Sequence, residues 1–354
     1  MAELCDKGSS NLAQKDLVFD SGIYPVYGAP GEITKVDFFY QSKPYLGLIK
    51  DGAGVGRVMQ LPANSSVIGT IQYIFPKENV DLKYLYYLIK YLDLGKANTG
   101  ATIPHIYFKD YKKRKVKIRN YSEQKNIGQI LELIDNQLTT YKDILEQYDL
   151  LIKSRFVELF GDVVLNTLDW PLVKLSAIAE YRIGLTYKPE AVSSSGIAVL
   201  RSGNIQNSQL CYEDTIYVNS KVDPKLLLKK NDILMCARNG SQSLVGKVAL
   251  IENDISNTTY GAFMMAISSK YYVYLFEYFR SQAFRRLISV GSTTTINQVT
   301  TRMLNSIVIP LPDLDTINRF ALYHSQINKL KSDVRKSIDE TQLLMDSLMQ
   351  EYFG

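Results

Sequence analysis

A regular spacing of apolar residues marks two segments of the chain. In residues 121–162 and again in residues 313–354, apolar side chains recur at alternating steps of four and three residues. This heptad spacing is typical of a coiled-coil helix rather than of a broad amphipathic face. The predicted seam comprises Ile127, Leu131, Ile134, Leu138, Tyr141, Leu145, Tyr148 and Ile152 in the first segment, and Phe320, His324, Ile327, Lys331, Val334, Ile338, Thr341 and Met345 in the second.

Two details of these helices depend on polar residues. We expect Ser122 to cap the first helix and Gly161 to end it. The second seam includes His324 and Lys331. Polar seam residues can fix register and partner, but these two side chains could equally lie at a frayed or solvated edge. The sequence leaves both interpretations open.

The remaining segments, 1–120 and 163–312, have the shorter patterns of mixed α/β lobes. Asp81–Leu94 combines a cap-like start with an apolar helical pattern, and Gly95 is expected to stop the helix. Lys115–Arg119 alternates polar and apolar residues, which predicts a strand. Glycine-rich turns, such as that at residues 27–31, separate the other elements.

An internal repeat relates the two halves of the chain. Residues 55–58 (VGRV) reappear 190 positions later as 245–248 (VGKV), and residues 85–90 (LYYLIK) correspond to 275–280 (LFEYFR) at the same offset. Beyond that run the offset becomes 193. At that offset Ile134 corresponds to Ile327 and Gly161 to Gly354. A period this long indicates a duplicated domain rather than a solenoid of short repeats. We therefore predict four segments, lobe 1 (1–120), a helix (121–162), lobe 2 (163–312) and a second helix (313–354).

The composition narrows the class of protein. With 46% apolar and 22% charged residues, the chain of 354 residues is globular rather than disordered. No apolar run approaches the roughly 18 residues of a membrane span, and the first residues lack the pattern of a secretory signal. Three cysteines without metal-knuckle spacing and two histidines predict no metal centre. These features predict a cytoplasmic protein.

Charge is distributed by segment. The net charge is +6 in residues 1–120 and +5 in 163–312, but −4 in 121–162 and −2 in 313–354. Positive lobes with acidic helices suit a polyanion bound by the lobes and a different partner on the helices. Ordinary surface variation is the alternative explanation.

Two loops are similar to nucleotide-binding motifs but do not satisfy them. In residues 48–57, Arg57 stands where the third glycine of a dinucleotide loop would fall. In residues 240–247, five residues separate the glycines instead of four, and Val248 stands where a phosphate loop has Ser or Thr. There is also no nucleophile elbow, so we predict no catalytic residue.

The order of these features resembles the specificity subunit of type I restriction–modification enzymes. The resemblance rests on two similar lobes, each followed by a heptad helix, with a glycine-rich turn before V-G-[RK]-V in both lobes. Local motifs agree, at residues 22–28 (GIYPVYG), 200–205 (LRSGNI) and 307–312 (IVIPLP). Residues 307–312 are a proline-rich segment that leads into the second long helix. Before the first long helix, residues 117–120 (KIRN) stand in place of this segment.

The resemblance implies an α+β fold in which the two lobes are target recognition domains and the two helices pair as an antiparallel coiled coil. Each lobe would read half of a bipartite site in double-stranded DNA. Two methyltransferase (modification) subunits are the implied partners, and restriction subunits are further ones. The chain would then be no enzyme and would hold no cofactor, with S-adenosylmethionine, ATP and magnesium on the partner subunits.

The candidate DNA-binding residues are polar or basic and lie near glycine-rich turns. Basic side chains suit phosphates, and polar side chains on loops suit base edges. Any one of them could instead simply build a turn. The candidates are Lys50, Asp51, Arg57, Thr99, Thr102 and His105 in lobe 1, and Arg201, Asn204, Arg238, Asn239, Ser241, Gln242, Lys247, Thr293, Thr294 and Asn297 in lobe 2.

Three other functions compete with this interpretation. A stand-alone DNA-binding regulator would use the same lobes but need no partner on the helices. An enzyme with a fused methyltransferase or nucleotide site conflicts with the failed motifs. A structural coiled-coil adaptor conflicts with the positive lobes.

Overall fold

The computed structural model describes residues 1–97, 104–290 and 297–354, which form two compact units. Unit 1 comprises Met1–Ile144 and Asp333–Gly354, and unit 2 comprises Leu145–Ser332. Each unit therefore joins one lobe to a part of both long helices.

Lobe 1 is a mixed α/β structure. Its elements are β1 (Cys5–Ser9), β2 (Tyr24–Gly28), β3 (Gly31–Val36), β4 (Tyr45–Ile49), β5 (Val58–Leu61), β6 (Ser66–Val67), β7 (Ile71–Pro76), α1 (Leu82–Leu92) and α2 (Phe108–Tyr111). Four strands form an antiparallel sheet in the order β1-β7-β4-β5, and a smaller sheet has the order β3-β2-β6. Every residue of β4 is buried, as expected for a central strand covered on both faces.

Helix α1 confirms the pattern predicted for Asp81–Leu94. The carboxylate of Asp81 caps it by accepting a hydrogen bond from the N–H of Tyr84. The helix ends at Leu92, because Asp93 adopts a left-handed conformation (φ 42°) before Gly95 is reached. Its buried face packs in the core of lobe 1.

The strand predicted at Lys115–Arg119 is wrong, because these residues join no sheet. Side chains from two helices donate to two carbonyl groups of this segment instead. The Tyr84 hydroxyl donates to the carbonyl of Lys117 at 3.1 Å, and the Gln124 amide donates to that of Arg119 at 2.8 Å. Alternation in the sequence therefore reflects one side chain packed inward, Val116, and another left exposed, Ile118.

Lobe 2 is larger and has more strands. Its strands are β8 (Leu172–Lys174), β9 (Glu180–Ile183), β10 (Val192–Ser193), β11 (Ile197–Leu200), β12 (Ile205–Gln206), β13 (Gln209–Leu210), β14 (Ile216–Val218), β15 (Ile233–Cys236), β16 (Val248–Leu250), β17 (Thr258–Tyr260), β18 (Met264–Ser268) and β19 (Val308–Pro310). The central antiparallel sheet has the order β16-β15-β18-β9, and a second sheet has the order β10-β14-β11-β17. Short pairs join β12 to β13 and β19 to β8.

The helices after lobe 1 are numbered in chain order. They are the long helix α3 (Tyr121–Phe160), then α4 (Tyr272–Arg280), α5 (Gln282–Val290) and α6 (Thr301–Ser306) in lobe 2, and the long helix α7 (Leu314–Phe353). The two long helices have 40 residues each.

The two long helices run antiparallel, which each unit shows by itself. In unit 1 the beginning of α3 shares a hydrophobic core with the end of α7, and in unit 2 the end of α3 shares one with the beginning of α7. Each predicted seam residue is buried or half-buried. The shared cores contain Ile127, Leu131, Ile134, Met345, Met349 and Phe353 in unit 1, and Ile152, Phe156, Phe160, Ile317, Phe320 and Ile327 in unit 2.

The N-terminus of α3 corrects the predicted cap. Asn120, not Ser122, caps the helix, because its side-chain oxygen accepts the N–H of Glu123 at 2.9 Å. The Glu123 carboxylate in turn accepts the N–H of Asn120 at 3.1 Å. This reciprocal capping box places Ser122 inside the first helical turn.

The polar seam residues of α7 are buried rather than solvated. His324 is 3% and Lys331 6% exposed. Within unit 2 the Lys331 ammonium donates to the Asp149 carboxylate of α3 at 2.9 Å. The Nε2 atom of His324 lies 3.4 Å from the Glu277 carboxylate of α4. Both side chains therefore lie buried in the seam and not at a frayed or solvated edge.

Candidate nucleic-acid interface

The V-G-[RK]-V repeat closes an equivalent loop in each lobe. In lobe 1 the N–H of Gly56 donates to the carbonyl of Ile49, at the end of β4, over 2.8 Å. In lobe 2 the N–H of Gly246 donates to that of Cys236, at the end of β15, also over 2.8 Å. Both glycines have a positive φ, +88° and +76°, which a residue with a side chain rarely adopts.

The two loops differ in length although they close in the same way. The loop spans residues 50–55 in lobe 1 and 237–245 in lobe 2. The second loop is thus three residues longer, and it carries four of the ten polar candidates of its lobe. A shared frame with unlike loops is suited to two different recognition surfaces.

The basic residue of the repeat is engaged within its own lobe. The Arg57 guanidinium donates to the carbonyl of Ala29, after β2. At the equivalent position, the Lys247 ammonium donates to the carbonyl of Ile205 at 3.1 Å, and this lysine is half-buried. In both lobes the basic side chain donates to a carbonyl of its own lobe. This shared hydrogen bond fits a structural role better than the expected contact with phosphate.

In lobe 1 the loop places a carboxylate between two basic groups. The Asp51 carboxylate contacts the Lys50 ammonium and Nδ1 of His105. A backbone bridge joins Asp51 to His105, whose ring centroid lies 4.0 Å from that of Tyr107. Burial lowers the pKa of Lys50. All three candidates remain partly exposed, so the group combines a hydrogen-bond acceptor with two donors at the surface.

In lobe 2 the equivalent position carries a guanidinium instead of a carboxylate. Arg238 bridges to Gln298 through the backbone and through its side chain. Its Nε and one terminal nitrogen donate to Oε1 of Gln298 at 3.2 and 2.8 Å. The guanidinium carbon lies 5.7 Å from the ring centroid of Phe263. At this bridged position, lobe 2 therefore carries a donor side chain, Arg238, where lobe 1 carries an acceptor, Asp51.

The rest of the second loop is organised by short polar contacts. The Asn239 side chain accepts the N–H of Ser241 at 2.9 Å and donates to the Ser202 hydroxyl at 3.0 Å. The Asn297 amide donates to the carbonyl of Gly240 at 3.3 Å. These three candidates shape the loop, while Gln242 is exposed at its tip.

Asn204 has a structural role, which corrects its prediction as a DNA contact. It is 2% exposed, and its side-chain oxygen accepts the N–H of Arg201 at 2.8 Å. Its amide nitrogen donates to the carbonyls of Cys211 and Glu213 at 2.9 and 3.2 Å. The amide N–H groups of this side chain are thus used within the lobe, and its burial keeps it from a base. Arg201 remains exposed.

Four predicted residues cannot be placed. Thr99, Thr102, Thr293 and Thr294 lie outside the described residues.

Gln298 and Phe263 were missed by sequence reasoning. A signal for Gln298 was present, since the repeat offset of 193 leads from His105 to position 298. Asn297, the neighbouring residue, is the predicted candidate, and its amide donates to the loop carbonyl of Gly240. No sequence signal places Phe263 beside Arg238, because that contact joins the loop after β15 to the turn before β18, and these lie apart along the chain.

Two features of the described residues bear on metal binding and on thiol chemistry. Within residues 1–97, 104–290 and 297–354, no group of His, Cys, Asp and Glu could hold a metal ion. Burial raises the pKa of the Cys5 thiol to about 11 and also raises that of Cys236, which makes both poor nucleophiles. None of the helices described is long and apolar enough to cross a membrane.

Two lobes with equivalent loops, each followed by one of two antiparallel long helices, define a protein built from a duplicated unit. The family model "Type I restriction modification DNA specificity domain" matches residues 1–147 and 167–338. The chain therefore belongs to the type I restriction–modification specificity subunits.

Individual relatives agree with this assignment. The chain is 23% identical over 331 residues to the specificity subunit of the type I restriction enzyme MjaVIII of Methanocaldococcus jannaschii, covering 85% of this chain and 76% of that one. It is 27% identical over 159 residues to the StySPI specificity subunit of Salmonella potsdam, covering 41% of this chain and 33% of the relative. The crystal structure of the S subunit from M. genitalium has the same fold, with a TM-score of 0.64, 17% identity and coverage of 100% and 94%.

Proposed function

We propose that each lobe of this specificity subunit reads one half of a bipartite DNA site. The observation that carries the proposal is the pair of equivalent loops with opposite chemistry, Asp51 in lobe 1 and Arg238 in lobe 2. A carboxylate can accept a hydrogen bond from the amino group of cytosine, and a guanidinium can donate two to guanine. Each lobe would thus select a different base with the same frame.

The net charges of the lobes support binding to the phosphate backbone. Residues 1–120 carry +6 and residues 163–312 carry +5. Contacts between basic side chains and phosphates supply affinity and register, and they make binding fall with added salt. Base contacts by the loops would then supply the sequence preference.

We further propose that the long helices dock the modification subunits. Outside the seam, both helices expose large apolar side chains. Exposed apolar surface of this kind is typical of an interface with another protein. This feature favours a subunit of a complex over a stand-alone regulator. The exposed residues include Leu133, Leu150, Leu151 and Val157 on α3, and Leu322, Leu330, Leu343 and Leu344 on α7.

The chemistry would belong to the partners. S-adenosylmethionine would bind to the modification subunits, and ATP and magnesium would serve a restriction subunit. The failed nucleotide motifs support this division of labour. The purified chain alone is expected to show neither methyl transfer nor DNA cleavage, and activity that a lobe substitution abolishes would contradict the proposal.

The test is the methylated DNA motif produced in cells that express the chain with its modification subunits. Wild-type protein should methylate a bipartite motif. Asp51→Ala should relax only one half-site and Arg238→Ala only the other, each by about ten- to hundredfold in preference. If either variant altered both halves together, the lobes would not be independent readers.

An insertion tests whether the helices set the spacing between half-sites. Seven added residues in both α3 and α7 keep the heptad register and lengthen each helix by about 10 Å. The preferred spacer should change by roughly three base pairs at about 3.4 Å each, with both half-sites intact. An unchanged spacer would mean that the helices do not determine it.

A further inference from the structure

We propose that Gln298 determines the specificity of lobe 2 by holding Arg238 so that only one edge of its guanidinium faces DNA. This inference rests on the proposed function of the lobe. It assigns the recognised base to guanine and makes Gln298 a positioning residue rather than a direct reader.

The main chain at Arg238 is fixed from two sides. The N–H groups of Ala237 and Arg238 both donate to the carbonyl of Phe263 at 2.9 Å. On the other side, the N–H of Val299 donates to the carbonyl of Ala237 at 2.7 Å. Arg238 therefore begins the loop from an anchored point at the end of β15.

The side chain of Arg238 is held at one edge. The acceptor Oε1 of Gln298 takes hydrogen bonds from both Nε and Nη2, so the side edge of the guanidinium is occupied. The ring of Phe263, which is 60% exposed, lies 5.7 Å from the guanidinium carbon and adds a cation–π contact. Two contacts thus restrict a long side chain that would otherwise be mobile.

What remains available is the end of the guanidinium. Its two terminal nitrogens, Nη1 and Nη2, still have N–H groups pointing along the end edge, and none of the described residues accepts from Nη1. Two parallel donors at this spacing match the O6 and N7 acceptors of guanine in the major groove. Adenine presents an amino donor where guanine has O6, so it would oppose one of the two hydrogen bonds.

The corresponding pair in lobe 1 shows that the arrangement follows from the frame. Asp51 and His105 occupy the same bridged positions in lobe 1 as Arg238 and Gln298 do in lobe 2. In lobe 1, too, the side chains of the two bridged residues contact each other. In both lobes the second residue of the pair lies on a segment distant in sequence. Specificity would accordingly be encoded by two residues for each position, not by the loop alone.

Base preference at each position of the half-site is the measurement. Full-length variants are expressed with their modification subunits, and the methylated motif is read together with competition by duplexes substituted at each position. Gln298→Ala should lower the preference for guanine at the Arg238 position by about three- to tenfold, since a freed side chain loses its preorganisation. Gln298→Glu keeps the acceptor and should retain the preference, although overall affinity falls because of its charge.

Double substitution separates positioning from direct reading. Arg238→Ala should lose the preference, and adding Gln298→Ala should change it no further. Gln206→Ala, a substitution of an exposed glutamine of the same lobe, should alter no position. The midpoint of chemical unfolding serves to check that each variant is folded.

Several results would overturn the inference. They are a changed preference at a different position in Gln298→Ala, loss of the guanine preference in Gln298→Glu, no change in Gln298→Ala, or the same relaxation in Gln206→Ala. If wild-type protein directed no bipartite methylation at all, the proposed function would fail too. If it directed such methylation while the Gln298 variants departed from expectation, only this inference would fail.

Discussion

The ammonium group of Lys331 on α7 donates a hydrogen bond to the carboxylate of Asp149 on α3 over 2.9 Å. Lys331 is 6% exposed, and the Arg280 guanidinium of α4 lies 3.5 Å from the same carboxylate. A buried charge on a coiled-coil seam is costly unless it is paired. This pair therefore couples the two helices of unit 2 at one register.

Removing one partner of this pair should cost more than removing both. Asp149→Leu leaves the Lys331 ammonium buried without its carboxylate, and we expect the free energy of unfolding to fall by about 1–3 kcal/mol. The double variant Asp149→Leu with Lys331→Leu should recover most of this loss. Leucine fits the seam, because the repeat counterpart of Lys331 is Leu138.

Chemical denaturation of the full chain measures both variants. Equal losses in the single and double variants would show that the ion pair itself, rather than the burial of an unpaired charge, stabilises the fold.

Stability should depend on pH through the same carboxylate. Burial opposes ionisation of Asp149, but its contacts with Lys331 and Arg280 prevail and hold its pKa below the ordinary value of 3.8. A carboxyl whose pKa is lowered by folding contributes stability that is present above its unfolded pKa and lost as the pH falls through the folded one. The free energy of unfolding should thus fall from about pH 5 downwards.

The variant Asp149→Asn should have a shallower dependence over this acid range. Asp143→Asn, a substitution of an exposed residue on the same helix, is the matched control and should follow the wild type. Parallel acid profiles for Asp149→Asn and wild type would exclude this carboxyl as a source of the pH dependence.

A charge placed on the seam should disrupt the packing of α3 against α7 in each unit. Ile134 in unit 1 is 9% exposed and Ile327 in unit 2 is 7% exposed. Replacing both by Asp buries unpaired carboxylates and should cost several kcal/mol. Leu133→Asp is the control, since Leu133 is 70% exposed on the same helix and should tolerate the charge. Thermal unfolding is the measurement, and an unchanged Tm in the double variant would contradict the pairing.

Lys247→Met should affect the loop rather than the attraction to DNA. The substitution removes the hydrogen bond to the Ile205 carbonyl, and we expect a loss of about 0.5–1.5 kcal/mol in the free energy of unfolding. The dependence of DNA binding on salt concentration should keep its slope. A slope reduced by about one unit would instead identify Lys247 as a phosphate contact.

The sequence by itself determined the features that depend on spacing along one chain. Heptad steps predicted both long helices, because the side chains on one helix face are fixed by the helical period. The repeat offset of 190 to 193 residues predicted the duplication, because copies of one domain keep their spacing along the chain. The cap at Asp81 was also predictable, since capping involves residues only three positions apart.

Tertiary structure decided everything that depends on a partner from elsewhere in the chain. His324 and Lys331 are buried because Glu277 and Asp149 lie opposite them. Lys115–Arg119 forms no strand because side chains from α1 and α3 take its carbonyl groups.

The motif residues show the same limit. Arg57 and Lys247 were predicted to contact DNA from their charge, yet each donates to a carbonyl on a different strand or turn of its lobe. The sequence determines the charge and the hydrogen-bonding capacity of each side chain. It does not determine which acceptor a donor finds, because a side chain pairs with the nearest acceptor in space, and the fold brings that acceptor from a distant part of the chain.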